Sequence, residues 1–321
     1  MSTARAPASG VGSASGEAAP RRASTSWITR TRQPRFAALL LLPSVIVVFG
    51  IVLYPILRTL YTSFHDVNSP FPGSYPFVGL RNYKRIIDDP EVWSSVTRTL
   101  YFTFVSTALE IGLGIGLALL LNAPLRARWL FRAIVVLPWA LPTVVNAQMW
   151  RFIFNAQYGA LNALLTQLHF IADYRSWLGS PFLALNAVVV ADVWKNTPLV
   201  AFFLLAGLQT IPNELYDAAR VDGAGPWQRF RRITLPLLKW SIVVVLVLRT
   251  IEAFKVFDII YVMTRGGPAN GTTSIAYFAY TRAFSDENFG YGSALAFFIV
   301  IFILALAALY IRALQSPAYE S

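Results

Sequence analysis

Residues 213–240 read NELYDAARVDGAGPWQRFRRITLPLLKW and form the longest well-charged island in the otherwise apolar second half of the chain. Asn213 is a suitable cap for a short helix that has Glu214 and Asp217 in its first turns. The positive end of the helix dipole favours acidic side chains at those positions. The start of this island is therefore predicted to be a short helix with an acidic first turn.

The remainder of the island predicts a second short helix. Gly223 and the Gly225-Pro226 pair end the first helix, and residues 227–233 form a basic, partly apolar helix. Pro236 marks the start of a new and very apolar helix. Two short helices joined at a glycine between membrane-length apolar runs are typical of a docking element. A simple solvated loop is the alternative that composition leaves open.

The composition excludes a soluble protein. Of the 321 residues 56% are hydrophobic and only 13% are charged, whereas soluble domains have about a quarter of their residues charged. The net charge of +11 does not indicate nucleic-acid binding, because the basic residues lie in loops beside apolar runs. The chain has no cysteine, which excludes disulfides and thiolate metal sites, and we expect no metal site.

The apolar runs predict an all-α, polytopic membrane protein with six transmembrane helices. Residues 1–34 are rich in Ala, Ser, Gly and Arg and predict a disordered cytoplasmic tail, followed by a membrane domain over residues 35–315. The first apolar run is too long for a cleaved signal peptide. The predicted spans are 36–57, 100–121, 133–154, 182–208, 237–263 and 293–312.

An even number of spans places both termini on one side of the membrane, together with residues 213–236. Lys and Arg residues are more numerous in the loops on that side than on the other. Because cytoplasmic loops are enriched in basic residues, both termini and residues 213–236 are predicted to be cytoplasmic.

Charged residues inside the predicted spans are candidates for function. Each ionised group at the membrane centre costs a few kcal/mol, so such residues must face a polar cavity or other helices. One hypothesis is that they line the path of a polar solute; the alternative is a self-neutralising ladder that holds the bundle together. These residues are Asp192 and Lys195 in the fourth span, and Arg249, Glu252, Lys255 and Asp258 at every third position of the fifth.

The second predicted span contains one carboxylate, Glu110, next to a glycine-rich run. Gly112 and Gly116 have the four-residue spacing that favours close helix packing in lipid. A phosphate-binding glycine loop would follow a strand, and no Walker A sequence occurs in the chain. The chain is therefore not expected to power transport with ATP itself.

The 213–240 stretch resembles a known motif. Asp217-Ala218-Ala219, three residues, Gly223, nine residues and then Ile233-Thr234-Leu235-Pro236 is similar to the Glu-Ala-Ala loop of permease subunits in bacterial ATP-binding-cassette importers. Asp217 stands where that motif usually has glutamate. The resemblance implies that residues 213–236 form a coupling loop that sits in a groove of the cytoplasmic ATPase. The implied coupling residues are Glu214, Asp217, Ala218, Ala219 and Gly223.

Other stretches resemble the carbohydrate class of these permeases, the maltose and glycerol-phosphate type. They are residues 194–198, 206–212, 222–224 and 264–268. The resemblance implies the type I importer permease fold and a multi-pass protein of the bacterial inner membrane. It also implies a second homologous permease, two ATPase subunits that bind ATP and Mg²⁺, and an extracytoplasmic solute-binding protein. This chain would bind no cofactor and catalyse no reaction.

A di- or oligosaccharide is the substrate that the resemblance implies. Sugar rings stack on aromatic planes, and amides and carboxylates pair with their hydroxyls, so Asp192, Trp194 and Asn196 are candidate contacts. Asn146 and Gln148 in the third span join the six charged residues as pathway candidates. A secondary transporter driven by an ion gradient is the alternative, although the chain shows no convincing internal repeat.

Overall fold

The computed structural model describes residues 28–68, 73, 75–124 and 126–314. Within these residues the chain is helical apart from loops and one isolated β-bridge between His65 and Phe77. The all-α prediction is therefore confirmed. The chain divides into two compact units, the first ending at Leu57 and the second beginning at Arg58.

The first unit contains helix α1, Ile28–Val47, and a π-helical stretch, Val48–Leu53. Residues 28–34 of the predicted tail thus belong to a helix, because the apolar α1 extends toward the amino terminus beyond its membrane-length core. The rest of the predicted tail, residues 1–27, lies outside the described residues. Helix α2, Tyr54–Ser63, follows, and Ala38–Ser63 is apolar and long enough to cross a membrane.

The remaining helices belong to the second unit. They are α3 Arg81–Asp88, α4 Pro90–Asn122, α5 Arg128–Ala140, α6 Thr143–Ile153, α7 Ala160–Gln167, α8 Pro181–Leu208, α9 Asn213–Val221, α10 Pro226–Arg229, α11 Leu235–Phe254, α12 Asp258–Met263, α13 Ile275–Tyr280 and α14 Phe289–Leu314. A π-helical stretch, Phe230–Thr234, joins α10 to α11 without a break.

Five helices of the described chain are membrane-length and apolar, and a sixth span exists if α5 and α6 are counted together. The third predicted span, 133–154, was expected to be broken by Pro138 and Pro142, and α5 and α6 do meet at 90°. The break lies at Pro142, whereas Pro138 lies inside α5. Leu141 precedes Pro142 and takes the extended conformation that a following proline imposes. Pro142 has no N–H group for a continuing helix.

The second predicted span begins earlier than expected, at Pro90 rather than residue 100. Asp89 caps α4 by accepting a hydrogen bond from the Glu91 N–H at 2.9 Å, and Pro90 occupies the first helical position, which suits its missing N–H. The fifth span, predicted as 237–263, is two helices, because α11 ends at Phe254 and α12 begins at Asp258. The Ser274 hydroxyl donates to the freed Val256 carbonyl at 2.7 Å and so stabilises this break.

Helices α4, α8 and α11 form the centre of the second unit. Their facing side chains make one apolar cluster of buried residues. It contains Ala118 and Leu121 of α4, Val200, Leu204, Leu205 and Leu208 of α8, Leu238 and Val245 of α11, and Ile211. Burying these side chains fixes the three helices against one another.

Close approach of α4 to α8 depends on Gly114. A Cβ atom at this position would lie 2.5 Å from Cγ1 of the fully buried Val200. Gly112 and Gly116, the predicted packing pair, have open space where a Cβ would be, with no atom within 4 Å. The predicted close packing at a glycine is therefore made by Gly114, which lies between the two glycines of the predicted pair. The pair itself lies on another face of α4.

A buried charge cluster of Glu110, Asp192 and Arg249 also joins the three helices. Arg249 donates from Nε to Glu110 Oε2 at 2.6 Å and from Nη2 to Glu110 Oε1 at 2.8 Å. The same Nη2 lies 3.2 Å from Asp192 Oδ2. Glu110 is fully buried and Arg249 is 6% exposed, so these are short, bidentate bonds away from solvent.

The charge cluster as a whole adds little to the stability of the bundle, but removing one of its members is costly. A buried ion pair adds little net stability, because desolvation offsets the attraction between the charges. Removing one partner is costly, since the other charge stays buried without compensation. Both carboxylates bond Arg249, so the three helices depend on its position.

Gly114→Ala is expected to lower the free energy of unfolding by about 1–3 kcal/mol, because the added methyl group overpacks the contact with Val200. Gly116→Ala is the matched control and is expected to be neutral or slightly stabilising, since its Cβ meets open space. Thermal unfolding of the detergent-solubilised variants measures both. Equal unfolding temperatures for the two variants would contradict this packing assignment.

Arg249→Gln is expected to destabilise the protein by about 3–5 kcal/mol, because two carboxylates lose their buried partner. Adding Glu110→Gln to the same chain should recover part of that loss. Lys255→Gln, which breaks an exposed pair with Glu252, should cost no more than about 1 kcal/mol. The measurement is the unfolding temperature in detergent. An Arg249→Gln variant as stable as the unaltered protein would refute the role of the charge cluster.

Candidate functional site

A polar cavity of about 370 Å³ lies beside the charge cluster, where α8, α11 and α12 meet. Its wall contains both acidic and basic side chains together with an amide. The lining residues are Thr143, Asp192, Lys195, Asn196, Arg249, Glu252, Ala253, Lys255, Val256, Phe257, Asp258 and Ile259. The structure thus brings seven of the ten predicted pathway residues together around one space.

The break between α5 and α6 forms part of the cavity's surroundings and is stabilised by Lys195. The Lys195 ammonium donates to the carbonyl of Trp139 at 3.2 Å and to that of Leu141 at 2.7 Å. These carbonyls lie at the end of α5, where backbone acceptors have no helical partner. Asn196 donates to Asp192 Oδ1 at 2.9 Å and so orients that carboxylate at the cavity wall.

The predicted charge stripe along the fifth span is wrong as a continuous ladder. Lys255 follows the last residue of α11, and Asp258 begins α12, so the four residues do not share one helical face. Lys255 and Glu252 do form the expected neighbour pair, at 3.0 Å, but both are exposed. Arg249 instead bonds carboxylates on two other helices. Because the helix breaks between Glu252 and Asp258, the four residues line one wall of the polar cavity instead of forming a ladder.

Trp194 does not converge with Asp192 and Asn196 as predicted. It lines a separate apolar cavity of about 790 Å³, where its ring packs edge-on against Trp150 with ring centroids 5.9 Å apart. Asp192 and Asn196 face the polar cavity, because successive positions of α8 point in different directions. The predicted joint contact of aromatic, carboxylate and amide with one solute therefore fails geometrically.

The two candidates from the third span also lie away from the polar cavity. Asn146 is fully buried and donates to the Ala191 carbonyl at 3.3 Å, which ties α6 to α8. Gln148 is half-buried and is not among the residues that line the polar or the apolar cavity. Asn146 thus has a clear packing contact, whereas Gln148 has no structural link to the cavity.

The predicted coupling loop forms a solvent-exposed helix, α9. Glu214, Asp217 and Ala218 are exposed and Ala219 is half-buried. Asp217 pairs with Arg220, and the exposed apolar residues Leu215 and Val221 accompany these charges. Asn213 is the first helical residue and provides no side-chain cap, because Pro212 precedes the helix as its cap residue. The predicted asparagine cap is wrong.

Gly223 ends α9 in the left-handed conformation, with φ of +77°. The Ala224 N–H bonds the Ala219 carbonyl at 2.8 Å and the Gly223 N–H bonds the Arg220 carbonyl at 3.1 Å, which satisfies the last carbonyls of the helix. No side chain other than hydrogen adopts this backbone conformation without strain. The backbone conformation therefore explains why the motif has a glycine at this position.

The second short helix was predicted to be separate from the membrane helix, and this prediction is wrong. Residues 226–254 form one helix, and Pro236 lies near the start of α11 after the π-helical stretch. The Tyr216 hydroxyl lies 2.9 Å from Thr234 Oγ1 and connects α9 to the start of this long helix. The coupling loop is therefore joined directly to the helix that contains Arg249.

Sequence reasoning gave no role to Glu110, although it is the main partner of Arg249. The two residues are 139 positions apart, so no local spacing reveals the pair. The available signal was the carboxylate itself, because an acidic residue in an apolar run needs a partner.

Comparison with known proteins identifies the family. The family described as binding-protein-dependent transport system inner membrane component matches residues 110–320. The trehalose/maltose transport system permease protein MalF of Thermococcus litoralis is 44% identical over 282 residues, which cover 88% of this chain and 94% of that protein. The sulfoquinovosyl glycerol transport system permease protein SmoG of Agrobacterium fabrum is 40% identical, over 87% of this chain and 90% of that protein.

The fold has a counterpart among solved structures. A chain from the crystal structure of a bacterial alginate ABC transporter, in complex with an alginate pentasaccharide-bound periplasmic protein, matches with a TM-score of 0.76. The match covers 90% of this chain and 96% of that chain at 23% identity, and it shows the fold alone. Together with the two relatives and the family match, it confirms the predicted permease fold. The chain belongs to the family of binding-protein-dependent transport system inner membrane components.

Proposed function

We propose that this permease subunit forms half of the pathway by which an ATP-driven importer moves a neutral di- or oligosaccharide across the membrane. The observation that supports a sugar most strongly is the 44% identity to a permease whose name states trehalose and maltose transport. The subunit itself is non-catalytic, and the ATPase is a separate chain in such transporters. Family membership excludes the alternative of a secondary transporter driven by an ion gradient.

The polar cavity supports a neutral substrate. Its wall contains three carboxylates, those of Asp192, Glu252 and Asp258, and three cationic groups. Arg249, one of those cations, is also paired with Glu110, so the cavity surroundings have no positive excess. Glu110 makes four carboxylates for three cations, so a polyanionic sugar would meet one uncompensated carboxylate there, whereas hydroxyl groups would find both donors and acceptors.

Coupling is proposed to work through the exposed helix α9. ATP and Mg²⁺ are assigned to the partner ATPase subunits, whose closure would draw together the coupling loops of the two permeases. Because Tyr216 connects α9 to the 226–254 helix, movement of the coupling loop would tilt that helix and with it the cavity wall at Arg249. The cavity would then open alternately to the solute-binding protein and to the cytoplasm, with both chain termini cytoplasmic.

Gly223→Val and Asp217→Lys are expected to abolish ATP-dependent uptake while the protein remains in the membrane. Valine is strained at φ of +77°, and lysine reverses the charge presented to the ATPase. Gly225→Ala is the matched control, because Gly225 has an ordinary φ of −67° and free space around it. Labelled-sugar uptake by membrane vesicles with equal amounts of the permease measures the effect. Normal uptake by Gly223→Val would exclude the coupling role.

Glu252→Gln is expected to reduce the initial rate of sugar uptake at least about tenfold. The Glu252 carboxylate would lose a charge-assisted hydrogen bond from a sugar hydroxyl, worth about 1.5–3 kcal/mol. Gln148→Ala should leave the rate unchanged, since Gln148 lies outside the cavity. The rate is measured at a saturating concentration of the solute-binding protein with trehalose, maltose and a uronic-acid oligosaccharide of similar length. Equal loss in both variants, or faster uptake of the uronate, would contradict the proposed pathway.

A further inference from the structure

An apolar crevice of about 720 Å³ lies between the last third of α4 and the coupling loop. One wall comes from the membrane helix α4, and the other comes from α9 and from the beginning of the 226–254 helix. The residues that line it are Gly112, Ile115, Gly116, Leu119, Tyr216, Pro226, Trp227, Arg229, Phe230 and Thr234.

The crevice is a built feature with defined walls. Its α4 wall is open because Gly112 and Gly116 have no side chain and no atom lies within 4 Å of either Cβ position. Its opposite wall is held by the hydroxyl contact between Tyr216 and Thr234 at 2.9 Å. The rings of Trp227 and Phe230 stack there with centroids 5.5 Å apart. The space is therefore suited to a slender apolar chain.

The mouth of the crevice is basic. Arg229 lines it, and the Arg229 Nε atom is buried without a hydrogen-bond partner in the described part of the chain. Arg231 and Arg232 follow as exposed residues, and Trp227 is 70% exposed. An exposed tryptophan beside arginines at the end of an apolar helix is typical of the membrane–water interface. A half-buried guanidinium that pairs with no carboxylate of the described residues is suited to a phosphate.

We propose that this crevice binds an anionic phospholipid, with an acyl chain against Gly112 and Gly116 and the phosphate group paired with Arg229. The α4 wall belongs to an apolar helix of membrane length, which favours a lipid over a water-soluble ATPase as the occupant. Basic residues at a membrane surface attract anionic lipids by about 1 kcal/mol each, which favours this occupant over a neutral lipid. The site would place a lipid between the coupling loop and the bundle core, whatever solute the transporter moves.

The test uses the assembled transporter, with its second permease and its ATPase subunits, equilibrated in vesicles of equal phosphatidylglycerol and phosphatidylcholine with identical acyl chains. After transfer to a mild detergent, native mass spectrometry counts the retained lipids. The unaltered complex is expected to retain phosphatidylglycerol about fivefold over phosphatidylcholine. Arg229→Gln should remove this preference, and Gly116→Leu should remove the lipid by filling the crevice. Arg231→Gln, outside the lining, should retain the preference.

A photoreactive residue in place of Leu119 gives a second readout, because Leu119 lines the crevice. Cross-linking to lipid supports the proposal. Cross-linking to the second permease would overturn it, since a protein helix would then fill the crevice. The proposal is also overturned if Arg229→Gln retains as much phosphatidylglycerol as the unaltered complex, or loses no more than Arg231→Gln. These readouts do not involve sugar, so they stand or fall separately from the proposed transport function.

Discussion

The bidentate bond between Arg249 and Glu110, with Asp192 at the third corner, is the constraint on which the rest of the structure depends. It joins α4, α8 and α11 at a buried point, where the loss of one partner would leave another charge without compensation. The polar cavity borders this cluster, so the position of its wall residues follows from the position of Arg249. A change in the cluster would therefore alter the cavity as well as the bundle.

The 226–254 helix connects α9 to the charge cluster. Its 29 residues span about 43 Å at 1.5 Å per residue. Thr234 near its first turns contacts Tyr216 of α9, and Arg249 near its last turns belongs to the charge cluster. One continuous helix thus leads from α9 to the polar cavity. Because Gly223 separates α9 from this helix, the coupling loop can be positioned without distorting it.

The sequence was sufficient for the class of fold, and its motif predicts the coupling loop. Apolar runs of membrane length and the motif around Gly223 are local signals, and each depends on residues that are close in the chain. The sequence was not sufficient to predict which side chains pair in the interior of the bundle. The pairing of Glu110 with Arg249 joins residues 139 positions apart, and a three-residue spacing suggested a different partner for Arg249. The apolar pattern also predicted 237–263 as one span, whereas α11 ends at Phe254 and the Ser274 hydroxyl bonds the freed Val256 carbonyl. The break at Pro142 was expected from the proline, but the contacts of Lys195 that stabilise it were not.

Two glycine positions illustrate the same limit. Gly112 and Gly116 have the spacing of a helix-packing pair, yet the helix contact is made at Gly114, because the rotation of α4 is set by its partners and not by its own sequence. Trp194 and Asp192 are two residues apart but face different cavities for a related reason. Which face of a buried helix meets which neighbour is a property of the whole bundle.

The central claim is that this chain provides a pathway that an ATPase on another chain drives. The most direct measurement is uptake of labelled trehalose or maltose into sealed proteoliposomes that contain the two permeases, with and without the ATPase subunits. The account predicts ATP-dependent uptake only when the ATPase and the solute-binding protein are both present, and no accumulation in response to a proton or sodium gradient. Gradient-driven accumulation by the permeases without the ATPase would contradict it.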